Sequence, residues 1–218
     1  MLDLYLIRHA ESEHNKTRHL IGGRSNSAQL SQKGVMQAQL LGKRLATDKV
    51  SFDNVYSSPA LRAYETAKIA CTEIGFPIDK IMRTEDLLEL SQGDWEGQLR
   101  EKVYTPDMLS KIIANNWEFR PPNGESQKDV EERVYNWINK NLVPRYKDDL
   151  VAGIFTHDFA IRCLLRAIMD FSPKMTYKVA LDNTSINRLS YTDHGWHIVC
   201  INDAAHLLDS YASNDANR

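Results

Sequence analysis

Two arginines and two histidines in this chain stand where strands should end. Arg8-His9 closes the apolar run Leu4-Tyr5-Leu6-Ile7. Arg62 follows Asn54-Val55-Tyr56-Ser57 by little more than a turn of helix, and His157 directly follows Val151-Ala152-Gly153-Ile154-Phe155-Thr156. Guanidinium groups are charged at any working pH and grip phosphate oxygens with two prongs. Imidazole titrates near neutrality and can serve as donor or nucleophile. One Arg or His at a strand end is commonly no more than a solvated polar residue. Three strand ends finished this way point to a common anion, and phosphate fits best. Asn15, in the loop after His9, adds a neutral donor.

Such a convergence requires parallel neighbouring strands, because open α/β sheets bind ligands outside their carboxyl ends. Strands are predicted over residues 3–7, 54–57, 150–156, 186–191 and 196–201, with a weaker one at 78–82. The helices between them follow apolar periodicity. Ser31 is positioned to cap a helix carrying Val35, Leu40, Leu41 and Leu45, and Ser58-Pro59 to start one carrying Leu61, Ala67, Ile69 and Ala70. Ser126 with Asp129 resembles a capping box ahead of Val130, Val134, Trp137 and Ile138. A further helix follows Thr156 with Ile161, Leu164, Leu165 and Ile168. Helix N-termini after Ser58 and near His157 would add positive dipole ends to the anion site. Thr192-Asp193-His194-Gly195 reads as a hairpin turn, so the sheet is expected to be mixed. The expectation is one domain over residues 1–218: an α/β, three-layer α/β/α sandwich around a mostly parallel sheet. Residues 98–123, with Tyr104, Trp117, Phe119 and Pro121-Pro122, form an excursion that reads either as a lid or side wall to a pocket or as a surface helix pair.

With 42% hydrophobic and 26% charged residues over 218 positions, the chain has the composition of a globular protein. A net charge of −2 gives no general attraction to nucleic acid or an anionic membrane, so an anion site must be built locally. Neither nucleic acid nor membrane is expected as a partner. Cys71, Cys163 and Cys200 are an odd, widely spaced set, read as reduced, buried thiols of a cytoplasmic protein. Neither a signal peptide nor a membrane span is recognised.

The segments "LYLIRHAESEHN", "YSSPALRAYETA", "LLELSQGDWEG", "NGES" and "IFTHDFAIRCLL" resemble, in order, the motifs of the histidine phosphatase superfamily, which includes the cofactor-dependent phosphoglycerate mutases. "DNTSINRLSY" and "INDAAHL" are similar to the tail of its bacterial phosphatase branch. The resemblance implies a phosphoglycerate mutase-like fold with His9 as a nucleophile that becomes a phosphohistidine. It further implies Arg8, Arg62 and His157 as phosphoryl ligands, Asn15 as an additional phosphate contact, and Glu89 as proton donor. No metal and no cofactor are implied.

Phosphoryl transfer asks mainly for positioning and charge stabilisation, which Arg8, Arg62 and a protonated His157 would supply. A neutral His9 is a competent nucleophile if its other ring nitrogen donates elsewhere, a backbone carbonyl being a suitable acceptor. Spacing alone does not choose among Glu85, Asp86 and Glu89 for the proton donor; the resemblance selects Glu89. Glu96 reads as a structural or rim residue, and Glu125 as an aid to the start of the next helix.

Two positions depart from the family pattern, Ala10 and Asp158, where glycine is usual. Asp158 is expected either to face away or to influence selectivity, and to raise the pKa of His157. The "LLELSQGDWEG" stretch looks like the phosphatase branch, so the implied activity is a metal-independent phosphomonoesterase acting on a small phosphorylated metabolite. The alternative is mutase-type transfer, for which Lys102, Lys111 and Arg120 could hold a second anionic group. A metallohydrolase built on His157-Asp158 lacks a second set of ligands at suitable spacing. A non-catalytic phosphate-binding module would be expected to lack His9 or Glu89, and both are present. Pocket walls are expected from residues 25–29, 98–123 and 182–185.

Overall fold

The computed structural model describes residues 1–208. Its strands are β1 (Leu2–Arg8), β2 (Asn54–Ser57), β3 (Met82–Arg83), β4 (Val151–Thr156), β5 (Ile186–Thr192) and β6 (Gly195–Asp203). They form one sheet in the order β3-β2-β4-β1-β5-β6. The first four of that order pair in parallel, whereas β5 is antiparallel to β1 and β6 to β5. The hairpin turn lies where the sequence puts it, with Thr192 paired to Gly195. The weak strand at 78–82 is instead a 3-10 turn, Ile78–Lys80, followed by the two residues of β3. Pro77 fixes the chain at the entry to that turn, leaving little length for extended pairing.

The helices are α1 (Glu13–Lys16), α2 (Gln32–Thr47), α3 (Leu61–Glu73), α4 (Arg100–Val103), α5 (Pro106–Asn115), α6 (Gln127–Asn141) and α7 (Asp158–Met169). Alternation along β1 assigns them to two layers. Leu4 and Leu6 pack with Ile154 against Val130, Val134 and Ile138 of α6 and Ile161, Leu164 and Leu165 of α7. Tyr5 and Ile7 face the other way, with Val55 and Phe155, onto Leu41 and Leu45 of α2 and Ala67, Ala70 and Cys71 of α3. Burial on both faces explains why β1 reads as a continuous apolar run instead of alternating with polar residues.

Ser31 caps α2, accepting from Gly34 N, and the Ser126/Asp129 capping box at α6 is formed. Ser58 does not cap α3: that helix begins two residues later than the Ser-Pro signal suggests, with Ala60 at its N-cap. Val35 points outward instead of joining the core. Cys71 and Cys163 are buried, whereas Cys200 on β6 is only partly so, because one face of this edge strand is open. Ala10 is fully buried without adopting a positive φ, so the missing glycine costs nothing in backbone strain.

Parallel register brings the strand ends level. Arg8 pairs with Thr156, and Ser57 with Phe155. The next residue of each segment continues the alignment, His9 N donating to Thr156 O at 2.9 Å and Ser58 N to Phe155 O at 2.9 Å.

Candidate active site

His9 and His157 meet just past the sheet, their ring centroids 5.1 Å apart and tilted by 61°. His9 Nδ1 lies 2.7 Å from Ala10 O, and a carbonyl can only accept, so the Nδ1 proton is donated there. Arg62 Nε donates to His9 Nε2 at 3.2 Å, which requires a lone pair on Nε2. Both contacts assign the same tautomer. Burial and the charges of Arg62 and Arg8 hold the His9 pKa well below its ordinary value, so the ring is neutral.

The main chain at His9 is clamped as well. Asn183 Nδ2 donates to His9 O at 2.8 Å, and Thr184 N to Arg8 O at 3.1 Å. Residues 182–185 therefore support His9 from behind and are not a pocket wall. Arg62 is buried, and its Nη1 donates to Arg24 O and Ser25 O at 2.9 and 3.0 Å, its Nη2 to Gly23 O at 3.3 Å. The loop carrying those carbonyls is in turn held by Glu96, which accepts from Arg24 N and Ser25 N at 3.1 and 3.4 Å. Glu96 is thus structural, as expected, and acts on the loop that locks Arg62. Arg8 is anchored through Nη1 to Leu181 O. Its Nε is buried with no hydrogen-bond partner among the described residues.

His157 is fully buried beside His9, set back from the residues that line the cavity. The expectation of a protonated His157 is overturned. Burial first, then the charges of Arg62, His9, Arg133 and Arg8, push its pKa well below the ordinary value, and Asp158 does not offset them. Ser58 Oγ stands 2.8 Å from His157 Nε2 and already accepts from Ala60 N. A hydroxyl oxygen offers one donor and two lone pairs, so the direction of this bond follows the His157 tautomer, and Nδ1 is buried with no partner among the described residues. Ser58, read in the sequence as a helix cap, instead bonds to a buried histidine. Ser58→Ala leaves Nε2 unpaired at an estimated cost of about 1–3 kcal/mol in stability. We expect kcat/KM to fall about tenfold through loss of that contact, checked by thermal unfolding and steady-state kinetics. An unchanged kcat/KM would separate Ser58 from the chemistry.

Of the three candidate acids only Glu89 lines the cavity with His9 and Arg62. Glu85 is exposed, and Asp86 is tied to Thr84 Oγ1 at 2.8 Å. Glu89 accepts from Leu90 N at 2.9 Å and from Phe159 N, at the start of α7, at 3.2 Å. Burial nevertheless dominates and, with the Asp158 carboxylate, raises its pKa. Asp158 forms an ion pair with Arg162 at 3.0 Å. Its effect therefore falls on Glu89, not on His157. Asp158→Asn should lower the Glu89 pKa and move the alkaline limb of the kcat/KM profile toward lower pH, since a weaker hold on that proton releases it earlier. A limb that stays put would remove Asp158 from this role.

Arg133 was not anticipated as a site residue. Its guanidinium donates to Asp86 O and Glu89 O at 2.7 and 3.2 Å and pairs with Glu125 at 2.9 Å. Glu125 also contacts Arg24 at 3.2 Å and accepts from Ser91 N at 3.0 Å. It braces the Glu89 segment and does not begin a helix. The signal that could have exposed it was a carboxylate in "NGES" followed one α6 face later by an arginine. Asn15 lines the cavity, with its Oδ1 accepting from Ser12 N at 2.8 Å, so its amide nitrogen is the donor left to the site. Lys102, Lys111 and Arg120 do not line the cavity, and Arg120 pairs with Asp129 at 2.6 Å. Residues 25–29 likewise do not line it, whereas members of 98–123 do. Among the described residues, no group of three or more His, Cys, Asp or Glu is placed to hold a metal ion, and no helix is long and apolar enough to cross a membrane.

A six-stranded mixed sheet presents a neutral, tautomer-fixed histidine beside two arginines and a protonatable glutamate, an arrangement suited to phosphoryl transfer. The chain matches the histidine phosphatase superfamily (branch 1) over residues 4–204 and belongs to it. It is 32% identical over 165 residues to a phosphoglycerate mutase of Schizosaccharomyces pombe, covering 74% of this chain and 77% of that protein. The solved structure of Bacillus stearothermophilus YhfR superposes with a TM-score of 0.81 at 27% identity, covering 95% of this chain and all of the other. A phosphoserine phosphatase from Entamoeba histolytica, solved with 3-phosphoglyceric acid, gives 0.76 at 25% identity, covering 95% of this chain and 100% of that one.

Proposed function

We propose that this protein is a metal-independent phosphomonoesterase that works through a phosphohistidine at His9. The observation that carries this reading is the pair of contacts on His9, Nδ1 to Ala10 O and Nε2 to Arg62 Nε. They leave a lone pair on one buried nitrogen, facing cations, with the ring uncharged. A phosphomonoester is drawn to Arg8 and Arg62, and Arg62 Nε turns from Nε2 to a phosphoryl oxygen. Asn15 Nδ2 is a further donor on the cavity wall, and the His157 ring beside His9 joins it once a phosphoryl group sits on His9. Nε2 then attacks phosphorus as the bond to the leaving oxygen breaks, and the Glu89 carboxyl gives its proton to that oxygen. In the second half the Glu89 carboxylate takes a proton from water, whose oxygen attacks phosphorus and frees His9. The products are an alcohol and inorganic phosphate. Residues 98–123 serve as a side wall of the pocket, and the whole chain acts as one domain. Three cysteines without a disulfide suit a cytoplasmic setting.

A second reading, transfer to a phosphorylated acceptor, is favoured by Arg18, Arg100 and Lys174, which line the same cavity. Incubation with 3-phosphoglycerate plus 2,3-bisphosphoglycerate, followed by phosphorus NMR, decides between the two. Inorganic phosphate as the accumulating product is the expected outcome. Steady conversion to 2-phosphoglycerate with the bisphosphate retained would replace hydrolysis by mutase activity.

A further inference from the structure

The cavity that opens onto His9 measures about 930 Å³. At roughly 30 Å³ per water molecule it could hold about thirty waters, far more than a phosphoryl group on a three-carbon body displaces. Part of its wall is aromatic. Trp95 meets Tyr104 edge to face and Phe119 at a tilt, at centroid distances of 5.9 and 5.7 Å, and Phe159 meets Tyr177 edge to face at 5.6 Å. All five rings line the cavity.

Helix α5 adds a second, independent observation. Leu109, Ile112 and Ile113 share one face of the helix and, with Asn116 at its C-cap, line the same cavity. No residue of α5 is buried, and Leu109 and Ile113 are 43% and 64% exposed. A helix this short is marginal unless its apolar stripe is covered. Here the stripe faces the cavity, in one continuous space with His9, Arg62 and Glu89. The cationic side chains that line the cavity at exposed positions are Arg18, Arg100 and Lys174, and Arg100 lies over the Tyr104 ring at 4.9 Å to its centroid. The carboxylates Glu125 and Asp158 are already paired with arginines.

We infer that the physiological substrate is a phosphomonoester whose alcohol is a bulky apolar or aromatic group, seated between α5 and the Trp95–Phe119 and Phe159–Tyr177 walls. The inference rests on the phosphomonoesterase reading and adds the class of leaving group. A small polyanionic body such as phosphoglycerate would leave the apolar stripe exposed to water, whereas an apolar body covers it while its phosphoryl group reaches His9.

The test compares ethyl phosphate, phosphoserine and 2-(1-naphthyl)ethyl phosphate, all esters of aliphatic alcohols, so that leaving-group chemistry varies little beside body size. kcat/KM for the naphthyl ester should exceed that for ethyl phosphate by about 30-fold or more, given what apolar pockets gain from added hydrocarbon. Ile113→Asp, at an exposed position that tolerates a carboxylate, should reduce that ratio at least about fivefold. In parallel, calorimetry measures Kd for 2-(1-naphthyl)ethylphosphonate against ethylphosphonate, which needs no turnover and should show the same preference. Equal Kd values, a preference for phosphoserine, or a ratio that Ile113→Asp leaves unchanged would overturn the inference while leaving hydrolysis intact. Selective phosphonate binding without hydrolysis of any ester would uphold the apolar pocket and sink the phosphatase reading.

Discussion

His9→Ala is expected to lower kcat by about 10⁴-fold or more, as nucleophile removal does where a covalent step divides the reaction. The expectation has a structural basis beyond the identity of the residue. Two fixed partners make Nε2 a lone-pair nitrogen, and burial beside two arginines keeps a proton off it. The buried hydroxyl that also lines the cavity, Ser12, is engaged, its Oγ donating to Asn15 Oδ1 at 2.9 Å. Because the His9 pKa is depressed, the acid limb of kcat/KM should lie below pH 6.5, with activity persisting as pH falls until the ring is protonated. Assays across pH with wild type and His9→Ala check both statements. A variant retaining more than about a hundredth of wild-type turnover would require another nucleophile.

Glu89→Gln should cost about 10²–10⁴-fold in kcat on aliphatic phosphates, the usual range for a general acid–base group. The loss should be much smaller for p-nitrophenyl phosphate, whose leaving oxygen hardly needs a proton. With that substrate the variant still forms phosphohistidine but lacks the base that activates water. A burst of one equivalent of nitrophenol followed by slow turnover is the expected signature. Its basis is a carboxyl whose pKa burial and Asp158 raise, which favours the protonated form that a general acid needs. Uniform loss across both substrates, with no burst, would assign Glu89 to positioning.

The path from sequence to site can be traced residue by residue. Strand ends were legible because a strand buried on both faces needs no polar residue at its exit, so Arg8, His9 and His157 stood out against their apolar runs. Capping chemistry located α2 and α6 for the same local reason. Ser58 misled because Ser-Pro is a strong helix-start pattern, yet its hydroxyl is claimed by a histidine 99 residues along the chain. Long-range partners of this kind leave no local trace. The same holds for Arg133 and Glu125 beneath Glu89, and for Asn183 behind His9. The charge state of His157 was misjudged because sequence neighbours suggested Asp158 as its field, whereas folding surrounds it with arginines and removes it from water. Glu89 could not be separated from Glu85 and Asp86 by spacing. The 3-10 turn Glu85–Leu87 separates them physically, ending before Glu89 so that this carboxylate alone meets the start of α7.

The most direct test is rapid acid-free quenching with labelled substrate, followed by mapping of the phosphorylated peptide and identification of the ring nitrogen. The result expected is base-stable, acid-labile phosphate on His9 at Nε2, accumulating further in Glu89→Gln. Label on Nδ1, on any other residue, or on nothing at all during active turnover would contradict a reaction routed through the His9 Nε2 lone pair.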